Sequence, residues 1–177
     1  MGIHRVGPFF KTATEIRTPR LDFRKFLGTS ETLATIGAIT IVPTGGSHLT
    51  VPGSAVVEST KAQLQVNGGV APQSITADVS TDELTAAAHG LTDGTMVHIT
   101  GDAGCIPAPL STTQQYFVVS ATTNTFQLAT CEGGTPVVLT AVETGISKVA
   151  IDYLVSFPTT TSGTQTPDAE LIVSVRD

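Results

Sequence analysis

The stretch Gln114-Gln-Tyr-Phe-Val-Val-Ser-Ala-Thr-Thr-Asn-Thr-Phe-Gln-Leu-Ala-Thr130 decides the fold class. Two runs rich in β-branched and aromatic residues flank Ala121-Thr-Thr-Asn124, a short polar connection. Side chains that suit a pleated surface on both sides of a polar reversal predict a β-hairpin. Upstream, Met96-Val-His-Ile-Thr100 stands between Thr92-Asp-Gly94 and Gly101-Asp-Ala-Gly104, a short strand bracketed by turns. Downstream, Val137-Val-Leu-Thr140 follows Glu132-Gly-Gly134 and reads the same way. Four or more short strands within about seventy residues are enough for a small closed or sandwiched sheet.

On the N-terminal side, Ala62-Gln-Leu-Gln-Val66 alternates, with Leu64 and Val66 on one face, and Asn67-Gly-Gly69 ends it. Leu49–Val51 and Ala55–Val57 read as short strands, and Leu33–Val42 as one strand ending at Pro43. In Thr14–Phe23, Pro19 interrupts the pattern and demotes the segment to a kinked edge strand, followed by a turn at residues 24–28. Residues 1–12 carry no alternation and read as an arm bearing the apolar pair Phe9-Phe10. On the C-terminal side, Val149, Ile151, Tyr153, Val155 and Phe157 share one face of a long strand. The Thr-rich connection 158–167 leads to a last strand with Leu171, Val173 and Val175 on one side.

Those closing strands need partners, and residues 14–66 supply them. The expected organisation is therefore an N-terminal arm at 1–12, a discontinuous β-sandwich at 13–69 plus 149–177, and an inserted β-barrel-like module at 70–148. Insertion at an exposed loop tip makes this arrangement physically easy. The alternative of two consecutive domains leaves the last strands without a sheet.

Charged residues are 14 % of the 177, against roughly 25 % in ordinary soluble domains, and Trp is absent. Low charge, abundant Thr and frequent Gly and Pro suit strands and turns, and suit a surface that is covered in an assembly. The net charge of −6 is unevenly spread. Residues 1–27 hold Arg5, Lys11, Arg17, Arg20, Arg24 and Lys25 against Glu15 and Asp22, a net of +4. The remainder holds Lys61, Lys148 and Arg176 against thirteen acids, a net of −10. A basic arm on an acidic body suits docking onto a copy of itself or another acidic subunit. Phe9, Phe10, Lys11, Arg17, Arg20, Arg24 and Lys25 are the candidate partner-binding residues. Nucleic acid is not the expected partner, because the arm lacks aromatic interleaving and a reading helix.

No run approaches the roughly twenty apolar residues of a membrane span, and the opening residues do not form a signal peptide. Synthesis in a cytoplasm leaves Cys105 and Cys131 as expected free thiols, with a disulfide between them the lesser alternative. His89 and His98 with Asp93 or Asp102 fit no common zinc spacing, and turn geometry explains His89. Asp78, Asp82, Glu83 and Asp93 lack a calcium-loop pattern and read as a solvated acidic loop. No Gly-x-Ser-x-Gly elbow and no phosphate-loop Lys appears, so no catalytic residue, metal or cofactor is expected.

The outer segments resemble the small immunoglobulin-like virion proteins of tailed bacteriophages often labelled fibre-tail adaptors. The residues that carry this are Asp22-Phe-Arg-Lys-Phe-Leu-Gly28, Glu31-Thr-Leu-Ala-Thr-Ile-Gly-Ala-Ile-Thr-Ile-Val-Pro43 and Glu170-Leu-Ile-Val-Ser-Val-Arg-Asp177. Phe23, Phe26 and Ile39 stand where that family usually has Trp. The insert resembles a second phage-associated module through Ala86–Val97, Tyr116–Leu128 and Gly133–Leu139. The resemblance implies an immunoglobulin-like β-sandwich carrying an inserted β module. It implies a non-enzymatic virion subunit, made in the bacterial cytoplasm, that forms a homo-oligomer within a symmetric tail, collar or fibre-adaptor assembly and contacts other virion structural proteins there. Capsid decoration is the alternative, and a receptor- or glycan-binding module, which would need Tyr116, Phe117 or Phe126 as an aromatic platform, is the third reading.

Overall fold

The computed structural model describes residues 3–24, 27, 31–43, 48–53, 55–102, 104–163 and 168–176, with side chains from residue 8 onward. Among the described residues every regular element is a β-strand. They are β1 (Ile3–Thr12), β2 (Arg20–Asp22), β3 (Leu33–Ile36), β4 (Thr40–Val42), β5 (Val56–Glu58), β6 (Lys61–Gln63) and β7 (Gln73–Asp78). The rest are β8 (Glu83–Thr85), β9 (Met96–Gly101), β10 (Gln115–Val119), β11 (Thr125–Ala129), β12 (Ser147–Thr161) and β13 (Asp168–Arg176). The chain forms two compact units, Met1–Val70 with Tyr153–Asp177, and Ala71–Asp152.

The discontinuous unit is a β-sandwich. One sheet has the order β2-β6-β5; in the other, β12 neighbours β13 and also pairs with β4 and β3. Alternation builds its core: Leu21, Phe23, Leu64 and Val66 from the first sheet's segments, and Tyr153, Val155, Phe157, Leu171, Val173 and Val175 from β12 and β13, all at most 1 % exposed. Each such side chain contributes roughly 1.5–3 kcal/mol on leaving water.

Three expectations change here. Residues 3–12, expected within an arm, form a strand: β1 lies parallel to β13, from Ile3 opposite Asp168 to Thr12 opposite Arg176, with a register shift between Val6 and Phe9. Gly7-Pro8 at that irregularity hides the strand from any test of alternation. The segment Leu33–Val42 is two strands, β3 and β4, because Gly37 turns in against Pro158 of β12 and donates its N–H to the Pro158 carbonyl at 2.7 Å. A Cβ on Gly37 would stand 2.6 Å from the Pro158 ring, so only Gly allows this approach. The strand at 149–157 is shared: Ser147–Ile151 pairs inside the inserted unit, and the sandwich takes β12 from Tyr153. The turn expected at residues 24–28 lies largely outside the described residues.

The inserted unit is a ring of six antiparallel strands. The order β7-β8-β11-β10-β9 is closed by the first part of β12, whose Ser147, Lys148 and Val149 pair with β7 on one side and β9 on the other. Closure leaves no open edge, which a small antiparallel sheet otherwise has to protect. The expected hairpin is β10–β11, with Val118 opposite Leu128 across the turn at 120–124. Inward residues recur with period two: Ile75, Leu84, Val97, Ile99, Tyr116, Val118, Phe126, Leu128, Val149 and Ile151, all at most 4 % exposed. The segment 137–140 is not a strand; it is held by bridges at Pro136 with Ala129 and at Ala141 with Ala108.

Candidate functional site

The expected partner-binding residues lie along β1, in the segment that leads into β2, in β2 itself and just after it. Phe9 is half-buried opposite Val173, and Phe10 is 42 % exposed with the Arg176 guanidinium 3.6 Å above its ring. Lys11 is not a surface cation. It faces the core beside Val175 at 2 % exposure. Its ammonium donates to the Gly68 and Thr12 carbonyls, each at 2.5 Å. Burial holds its pKa below the ordinary lysine value, with Glu15 pulling the other way.

The three described arginines among the candidates each have an acidic neighbour in the same unit. Arg17 pairs with Glu15 at 2.5 Å, and Arg20 meets Glu58 at 3.8 Å and the Gln63 side-chain oxygen at 3.2 Å. Arg24 grips Asp22 through Nε and Nη2, and these bonds hold the Asp22 carboxyl down to about 2. Exposed pairs of this kind contribute little to stability. They do, however, reduce the positive charge that the segment presents to a partner. Lys25 lies outside the described residues. The structure thus brings Phe9, Phe10 and Lys11 together on one strand beside β13 and places Arg17 before, Arg20 in and Arg24 after the edge strand β2.

By sequence count the inserted unit holds eight carboxylates against Lys148 alone, a net of −7, while the sandwich holds eight bases against seven acids. Four of those carboxylates fasten turns. Asp82 accepts the Leu139 N–H at 2.8 Å, Asp93 the Ala121 N–H at 2.8 Å and Glu143 the Ala77 N–H at 2.9 Å. Asp78 accepts both the N–H and the hydroxyl of Ser80, and these bonds lower its pKa. Three of the four residues weighed above as an acidic calcium loop are therefore bonded within their own module.

The histidines are buried too. His89 accepts the Leu91 N–H on Nδ1 at 2.9 Å, directs Nε2 to the Thr125 carbonyl at 3.3 Å and packs edge-on against Phe126. His98 lies on the face opposite Val97 and Ile99, yet it is 5 % exposed. Its Nδ1 meets Asp152 Oδ1 at 2.8 Å, and Asp152 Oδ2 accepts from Gln115 Nε2 at 3.0 Å. A separation of 54 residues hides this pair from any sequence reading; only ring closure puts β9 beside β12. His98 Nε2 is buried with no hydrogen-bond partner among the described residues. Among those residues no three His, Cys, Asp or Glu side chains converge as metal ligands, and Cys105 and Cys131 are free thiols.

A second polar cluster, in the sandwich, was not visible beforehand. The Tyr153 hydroxyl accepts the Val70 N–H at 3.1 Å and hydrogen-bonds His48 Nδ1 at 2.9 Å. Val70 and Tyr153 are where the chain leaves the sandwich for the insert and where it returns. The single signal in the sequence is one Tyr among wholly apolar residues on a core face, where a buried hydroxyl demands a partner. No family model matches this chain, and no curated protein and no solved structure matches it either.

Proposed function

We propose that the chain is a non-enzymatic structural subunit of a bacteriophage virion, docking in a symmetric tail, collar or fibre-adaptor assembly through protein–protein contacts. The observation that carries this is how the ionisable groups are used. Asp82, Asp93, Glu143, His89 and Lys11 are bonded to backbone groups of their own units, so they act as fasteners and not as reagents. What faces outward includes large apolar side chains: Ile146 at 72 %, Val138 at 65 %, Val42 at 56 % and Val56 at 55 % exposure. On a chain with 14 % charged residues, such side chains suit burial against neighbouring subunits. The phage context comes from the resemblance of the outer segments and of the insert.

The glycan-binding reading is disfavoured by a specific observation. Tyr116 and Phe126 point into the ring at 3 % and 0 % exposure, which leaves half-buried Phe117 without a platform. Imaging of purified particles with quantified copy number tests the proposal. Copies on the order of six to a few tens, placed by symmetry on a tail or collar, are expected. Hundreds of copies on the head surface would shift the reading to decoration, and absence from particles would end it.

A further inference from the structure

We propose that β1 is an exchangeable strand, and that in the assembled state the β13 edge of one copy takes β1 of a second copy. This inference rests on the assembling-subunit reading above. The first support is position. β1 touches the rest of its sheet through β13 alone, and its partner residues lie more than 160 positions away in sequence. No hairpin dictates that its strand must come from the same chain. Every bond of the pair is the same whichever copy supplies β1.

The second support is a code that selects the occupant. Lys11 points inward, and a buried ammonium is tolerated only where carbonyls receive it. The receiving atom across the socket is the Gly68 carbonyl, which ends the segment after β6. At the exposed end, Arg176 of β13 stacks over Phe10. A foreign strand with an apolar residue at the Lys11 position would leave the Gly68 carbonyl without this donor, and β1 on a foreign edge would leave its lysine only the Thr12 carbonyl of its own strand. The socket therefore fits this strand from this chain or from an identical one. The third support is the outer side of β1, which Pro8 and the adjacent register shift blunt against further strand addition. Copies can thus be linked through β1 by exchange, with little tendency to stack on its free edge.

The hinge is short. The Glu15 N–H bonds to the Thr12 carbonyl at 3.2 Å, and Arg17 is already bridged to Val66. A cis strand enjoys an effective concentration in the millimolar range, so dilute protein keeps β1 at home. Exchange becomes competitive when a neighbour is held close in an assembly or when free protein approaches about 1 mM.

The test uses full-length chains in which Cys105 and Cys131 are replaced by Ser. Thr12→Cys is made in one chain and Arg176→Cys in another, positions that face each other across β1 and β13. The two are mixed at about 1 mM, equilibrated and oxidised. A disulfide-linked dimer of the 18.2 kDa chain is expected, in clear excess over a control mixture of Thr12→Cys with Ala87→Cys. Dimer no more abundant than the control overturns the proposal. Should either variant fail to fold, Phe9→Cys with Val173→Cys reads the same pairing. The two readings fail separately: a symmetric ring in particles with no exchange removes only this inference, and exchange by a protein missing from particles removes only the virion assignment.

Discussion

The Tyr153 hydroxyl fastens the root of the insert, because the Val70 N–H and His48 both depend on it. Tyr153→Phe keeps the ring and removes the bond, leaving a buried N–H without its acceptor. The expected cost is about 1–3 kcal/mol, read by chemical denaturation of the sandwich. Next to it, Gly69 has a φ of +105° and a Cβ there would stand 2.6 Å from Val175 Cγ2. Gly69→Ala combines left-handed strain with overpacking and is expected to cost about 2–4 kcal/mol in the same measurement. The two tyrosines also predict a pH dependence. Burial raises the pKa of both Tyr153 and Tyr116 above 10.0, the hydrogen bonds to Val70, Leu49 and Ser111 opposing it weakly. A raised folded pKa means stabilisation that is complete below pH 10 and is lost as pH rises through the folded values. Lys11 opposes this, since its lowered pKa makes the sandwich gain stability as pH rises toward 10.5. The chain has two Tyr and no Trp, so tyrosinate absorbance with and without Tyr116→Phe assigns each titration. Both phenols are expected to ionise above pH 10 while folded; either one ionising at or below 10 contradicts the burial described.

At the scale of elements, the ring depends on the first part of β12 pairing on both sides. Asp152, at its end, holds His98 on β9 and Gln115 on β10. Asp152→Ala strands buried His98 and half-buried Gln115 and is expected to cost about 2–4 kcal/mol, seen as earlier exposure of Tyr116 on denaturation. How much of this was legible follows from where each signal is stored. Period two is a local property, so β12 was readable from Val149, Ile151, Tyr153, Val155 and Phe157, and the β10–β11 hairpin from its polar turn. β1 was not, because Pro8 and the register shift erase the period and its pairing partner lies at the other end of the chain. Lys11 failed for the same reason. A lysine reads as exposed unless the carbonyl that receives it is known, and Gly68 is 57 residues away. The split of 33–42 into β3 and β4 was hidden in one glycine whose tight neighbour is Pro158.

At the scale of the molecule, the described residues up to Val70 and from Tyr153 onward form one sandwich, expected to be complete without the module they carry. Each unit has its own inward-facing alternation, and each half of β12 serves a different core. The Tyr153 hydroxyl bonded to the Val70 N–H keeps the two cut ends of the sandwich together. The most direct test replaces residues 71–152 by a short Gly-Ser linker and measures urea unfolding and the tyrosinate titration of the shortened chain. The account predicts a cooperative transition and a single buried tyrosine, Tyr153, still ionising above pH 10. A chain that unfolds without cooperativity, with Tyr153 titrating as it would in a free peptide, would contradict it.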